Sequence, residues 1–215
     1  PGMLASASLW QNSAQYKALA LDMRKAAAFI VLSRDKGETG HIVLDPETGA
    51  PRMFYPFEQC DRESLEDGLV TAVRIAAAAG ATSVASSMFH LGLRELPPAP
   101  SDDVKDEKLR QKMEELRQAA VENLVEDMRA HRVATDFRTA LFSAHQMGTC
   151  RMGSDASRSV VGPTGEAWGC PNLFVCDASV FPTSSGVNPM ITTLAIADFV
   201  ADAIVNKAGQ SRSRL

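Results

Sequence analysis

Two short stretches of this 215-residue sequence gather residue types used in proton chemistry: His145 within SAHQMGTCRMG and Asn188 within PTSSGVNPMIT. Imidazole titrates near neutrality, so His145 can take up or hold a proton without help from a metal. Small residues and glycines, Gly148 and Gly153 among them, flank it and let backbone or a ligand come close. Asn188 stands where a helix N-cap is expected, with Pro189 in the first turn. The start of a helix carries free N–H groups and a partial positive charge, which favours an anionic or electron-rich group there. A histidine, a capping asparagine and a helix N-terminus together point to removal of a proton beside a group that gains negative charge.

The elements that must hold these residues are a strand, a turn and a helix. The apolar run 173–176, ending at Asp177, predicts a short core strand. Beyond Asn188 the period changes, and Ile191, Leu194, Ala195, Phe199 and Ile204 recur at helical spacing. Earlier in the chain, residues 12–28 read as a helix by propensity. Residues 29–33 and 41–45, separated by a turn over 35–40, read as a β-hairpin, and a further turn over 46–51, with Gly49, leads into a third strand over 53–55. Asp61 then caps a helix whose Leu65, Leu69, Val73 and Ala76 or Ala77 share a face, with Gly80 at its end. Residues 94–108 are Pro-rich and then charged, a surface-loop signal. From 106 to 131 a helix is expected, with Leu109, Met113, Leu116, Ala120, Leu124 and Met128 as its apolar stripe. The last residues, QSRSRL, read as a frayed tail.

Composition narrows the field. With 45% hydrophobic and 22% charged residues the chain is globular in type, and a formal charge of -4 with both signs interspersed gives no footprint for nucleic acid. Four cysteines, without CxxC or Cys/His ligand spacing, argue against a disulfide scaffold or a metal site, and read as reduced, mostly buried thiols. No apolar run approaches the about 18 residues of a membrane span, and no secretory signal pattern is present. A hydrolase built from Ser184 or Ser185 with His145 and Asp177 can be drawn, but no GxSxG elbow supports it.

Four segments in order, AHQMGTCRMG, GEAW, LFVCDAS and PTSSGVNPMIT, resemble the C-terminal signature of the glucose-methanol-choline (GMC) flavin oxidoreductases. Their wording is most similar to the long-chain fatty alcohol oxidases. The close match spans about residues 140–206; a looser one reaches back to about residue 28 through FIVLSRDKGETGHIVLDPETG. The resemblance implies an α/β protein with an α+β substrate domain: residues 1–138 in a substrate-binding portion, an antiparallel sheet covered by helices, residues 139–206 returning to the FAD-binding domain, and 207–215 as tail. It implies FAD as cofactor and oxidation of an alcohol, favoured as a long-chain fatty alcohol, to the aldehyde by hydride transfer to flavin. His145 corresponds to the family's active-site histidine and Asn188 to its second catalytic position. Asp177 and Ala178 correspond to the position that meets the ribityl and pyrophosphate part of FAD, and Pro189 and Met190 to the helix start beside the flavin.

Members of the family carry a nucleotide-binding GxGxxG near their N-terminus, and no GxG occurs in these residues. The expectation is therefore a C-terminal part of a longer protein, partnered by its N-terminal half, through which membrane association could also arise. Two alternatives stay open beside an oxidase: a GMC dehydrogenase passing electrons to an acceptor other than oxygen, and a fragment inactive without the nucleotide-binding half.

Overall fold

The computed structural model describes residues 10, 12–37, 40–88, 90–133 and 139–212. The chain divides into two compact units, one of residues 1–33 and 57–142, the other of residues 34–56 and 143–215.

The first unit is built on two long helices. Helix α1 (Ser13–Asp22), capped by the Asn12 side chain, runs into a single 3-10 turn and is shorter than its Ala- and Leu-rich composition suggests. Helix α2 spans Gln59–Ala78, with Glu58 rather than Asp61 at its N-cap; Asp61 is buried in the first turn. Helix α3 spans Glu107–His131 and is capped by Asp106, whose carboxylate accepts from the Lys108 and Leu109 amides. Val70, Val73 and Ala77 of α2 share one buried cluster with Val121, Leu124, Val125 and Met128 of α3. Each of the Val, Leu and Met side chains removed from water contributes on the order of 1.5–3 kcal/mol. The stripe on α3 differs from expectation at its N-terminal end, where Leu109 and Leu116 are exposed, and Arg117 occupies the buried face instead. The Arg117 guanidinium donates to the Ala77 and Ala81 carbonyls at 2.6 and 2.8 Å and to the Pro97 carbonyl. A cation thereby adds hydrogen bonds to carbonyls at and just beyond the C-terminus of α2, where the helix end is negative. A small antiparallel sheet, β3 (Ser83–Ala85) with β4 (Leu93–Glu95), sits between the helices in sequence.

In the second unit, β1 (His41–Leu44) pairs antiparallel with β2 (Pro51–Phe54), His41 opposite Phe54 and Leu44 opposite Pro51. The hairpin therefore differs from the expected one: residues 29–33 form no strand, and of the expected turn Glu38 and Thr39 lie outside the described residues. The reason is local. The Asp45 carboxylate accepts from the Glu47 and Thr48 amides at 2.9 and 2.8 Å, and Gly49 takes φ +68, so the tight turn forms over 45–50. Every residue of both strands is exposed.

The remainder of this unit has little regular structure before helix α4 (Met190–Arg212). Residues 173–176 form no strand; Phe174 makes one isolated bridge to Glu166. Helix α4 continues through 207–212, where the sequence suggests a tail, and 213–215 lie outside the described residues. Helices and small antiparallel sheets thus make up the described chain. No helix among the described residues is long and apolar enough to cross a membrane.

Candidate active site

The loop carrying His145 is fastened by backbone pairing to a short 3-10 turn, Ala178–Val180. The amides of Gly148, Cys150 and Met152 donate to the carbonyls of Ala178, Ser179 and Val180 at 3.2, 2.8 and 2.9 Å. Gly148 takes φ +86, and a Cβ there would stand 3.3 Å from the Phe181 carbonyl, so glycine suits both the turn and the close approach. Val161, Val180 and Phe181 form the buried centre, with Met147, Met152, Ala167, Val175, Ala178 and Ile196 packed around it. The GEAW segment closes it from the side: Gly165 takes φ +81 with its Cα against Val200, and the Trp168 indole donates to Ser159 Oγ at 2.9 Å. Cys150 and Arg151 contribute backbone hydrogen bonds to this scaffold. The Arg151 carbonyl, for example, accepts from the Val160 and Val161 amides.

Helix α4 packs onto this centre through Ile196, and its fully buried Val200 lies against Gly165. The residues singled out by helical spacing face the other way. Ile191 is 70% exposed and Leu194 61%, with Phe199 and Ile204 also exposed. The helix is apolar on more than one side, and spacing alone cannot choose which side packs. At its start, the Pro189 carbonyl accepts the first intrahelical bond, from the Thr193 amide at 2.8 Å. Pro189 therefore occupies the capping position, and Asn188 stands one residue outside the helix rather than capping it.

His145 and Asn188, 43 positions apart in the sequence, line one open cavity of about 510 Å³ together with Pro189, Met190, Thr193 and Leu194. This is within the size range of small-molecule sites. An imidazole, a carboxamide and the N-terminus of a long helix thus border a space whose remaining wall is largely apolar. Such a site can take a proton, hold an oxygen by hydrogen bond and favour negative charge at the helix start. Sequence reading missed Thr193 and Leu194 as lining residues. The signal was available, because Thr193 and Leu194 stand four residues beyond Pro189 and Met190 and so return to the face on which the helix begins.

Asp177 and Ala178 do not line this cavity. Asp177 caps the 3-10 turn, and hydrogen bonds from the Ser179 hydroxyl and amide hold its carboxyl below the ordinary range. Ala178 is half-buried against the Val161 centre. The four cysteines are free, but Cys60, Cys170 and Cys176 are exposed and Cys150 is half-buried, so the expected burial of the thiols does not hold. Among the described residues, no group of three or more His, Cys, Asp or Glu is placed to hold a metal ion.

Residues 36–197 match the family model described as GMC oxidoreductase. Long-chain-alcohol oxidase FAO4A of Arabidopsis thaliana is 36% identical over 197 residues, which is 92% of this chain and 24% of that protein. Long-chain-alcohol oxidase FAO4B of the same plant is 32% identical over 209 residues, 96% of this chain and 25% of that protein. A 2-methyl-1,2-propanediol dehydrogenase of Mycolicibacterium austroafricanum is 45% identical over 60 residues, 28% of this chain and 11% of that protein. The chain spans about a quarter of the length of the long-chain-alcohol oxidases it matches.

Proposed function

The chain belongs to the GMC oxidoreductase family, and from that premise we propose that the protein it forms, or forms part of, oxidises an alcohol to the aldehyde with FAD as cofactor. Long-chain alcohols are the favoured substrates, since the relatives matched over nearly the whole chain are named for them. The observation that carries the reading is the convergence of His145 and Asn188 on one cavity at the start of α4.

The residues present fit one end of the cofactor. The cavity has room for a planar ring system, and the start of α4 offers the Met190 amide and a positive helix end to its electron-rich edge. No glycine-rich phosphate loop is among these residues, so the phosphates need groups from elsewhere; Asp177 and Ala178 are proposed to meet the ribityl and phosphate part from outside the cavity. When bound, FAD supplies the acceptor for the two electrons that leave with the hydride. The chain's own residues do the rest. His145 accepts the hydroxyl proton of the alcohol, Asn188 donates a hydrogen bond that holds the same oxygen, and Met190 and Leu194 give the cavity an apolar wall. Asparagine is no base at neutral pH, so His145 carries the proton alone.

The exposed apolar side of α4 favours a partner. The exposed Ile191, Leu194, Phe199 and Ile204 make an apolar surface of the kind that a partner covers, and about three-quarters of each matched alcohol oxidase lies outside the region of similarity. The nucleotide-binding remainder of such a fold is the proposed cover, and the 215 residues alone are expected not to retain FAD firmly. Any membrane association would come through that remainder.

The test is expression of the complete gene product, with the visible spectrum recorded before and after addition of alcohols of increasing chain length. A yellow protein bleached by alcohols, long ones best, is the expected result. A colourless preparation, or a flavin indifferent to every alcohol, would overturn the reading.

A further inference from the structure

Asn188 is bracketed by two hydroxyl donors. Ser185 Oγ donates to the Val187 carbonyl at 2.6 Å, and Thr193 Oγ1 donates to the Pro189 carbonyl at 2.9 Å, where the Thr193 amide also donates at 2.8 Å. A carbonyl fixed in direction fixes its whole peptide plane. The plane entering Asn188 is thus held by Ser185, and the plane leaving Pro189 by Thr193. Between them Pro189 has a ring-locked φ, which also restricts Asn188 to extended backbone. On the far side of the loop Gly186 takes φ +66 with Arg34 packed so closely that a Cβ would come within 2.7 Å of the Arg34 Cβ.

A threonine bonded to the carbonyl four residues back is common in helices and by itself means nothing. Here the two bonds flank the one loop residue that shares a cavity with His145, and Thr193 lines that cavity too. We infer that Ser185 and Thr193 are positioning residues: each clamps one carbonyl beside Asn188, and together they aim its carboxamide at the space in front of the His145 ring. The role rests on the alcohol oxidation proposed above, and neither hydroxyl touches the reacting atoms.

Positioning of this kind acts on the reaction step rather than on substrate capture. In the full-length flavoprotein, Thr193→Val and Ser185→Ala are each expected to lower kcat for alcohol-dependent flavin reduction about tenfold, the scale of one hydrogen bond lost, with KM changed less than about twofold. Thr193→Ser keeps the hydroxyl and is expected to restore kcat. Hydrogen exchange is measured in parallel on the full-length protein, where the Thr193 amide, bonded to the Pro189 carbonyl, should exchange several-fold faster in Thr193→Val than in wild type or Thr193→Ser. This arm needs no flavin. A wild-type protein inert to alcohols sinks the proposed reaction, while faster exchange in Thr193→Val keeps the clamp. Unchanged exchange, or a fall in kcat that Thr193→Ser fails to restore, overturns the inference. Ser185→Ala leaves the helix untouched, and it decides the matter if Thr193→Val does not fold.

Discussion

The α2–α3 unit and the unit carrying His145 solve the same packing problem by different means. In the first, two helices of 20 and 25 residues satisfy their own backbone and meet along a stripe of Val, Leu and Met. In the second, the buried centre is Val161, Val180 and Phe181, and the chain around it is joined by isolated bridges, positive-φ glycines and single hydrogen bonds. Regular elements place side chains by period, so they make a broad core. Irregular chain can bring residues from distant segments to one point, and His145 and Asn188 meet in the unit built that way.

The contrast can be broken by mutation, and the largest effect belongs to the helical unit. Met128, 1% exposed at the centre of the α2–α3 cluster, is expected on change to Ala to cost about 2–5 kcal/mol of stability in denaturant titration. At temperatures where the full-length variant stays folded, alcohol-dependent flavin reduction should be nearly normal. His145→Ala should give the mirror image: a loss of about 100-fold or more in flavin reduction, the scale for removing a general base, with the unfolding curve unmoved. A rate left unchanged would take His145 out of the chemistry, and a collapsed unfolding curve would make its role structural.

Gly165→Ala sharpens the comparison at smaller scale. Its Cβ would stand 2.6 Å from the Val200 side chain, on a backbone at φ +81. The left-handed conformation alone costs about 1–2 kcal/mol for an L-residue, so thermal unfolding should move down measurably. The same substitution at Gly209, in the helix with nothing near, should be neutral or slightly stabilising.

The smallest effect is acid sensitivity. Asp45, Asp155, Glu166 and Asp177, all in the second unit, have carboxyls held below their ordinary values. Thr48 and Glu47 amides do this for Asp45, the Ser157 amide and hydroxyl for Asp155, Lys207 and the Asn172 amide for Glu166, and Ser179 for Asp177. A folded pKa below the unfolded one stabilises the fold above the ordinary values of 3.8 and 4.5, and that contribution is lost as the pH falls below them. Pepsin digestion between about pH 4.5 and 2.5 should therefore cut 34–56 and 143–212 before 59–131. Simultaneous cutting of both would erase the distinction.

Much of the helical unit was legible beforehand, because Val73, Ala77, Leu124 and Met128 repeat at helical spacing and Asp106 stands where a cap belongs. Less was legible where two solutions compete for one stretch. Residues 41–44 have β-forming neighbours on both sides, and the hydrogen bonds of Asp45 settled the pairing with 51–54. The face of α4 could not be read from a helix apolar on more than one side, nor the exposure of Cys60, Cys170 and Cys176 from residue type.

By itself the sequence determined the family, the kinds of chemical group in play and where the long helices run, since order of residues and period are properties of the chain. The tertiary structure alone decided that His145 and Asn188 border one space, that Thr193 and Leu194 join them, and that Asp177 and Ala178 stand outside it. The physical reason is that those distances depend on how Gly148, Gly165 and the Ala178–Val180 turn fold non-repeating chain around Val161 and Val180, and such packing has no period to read.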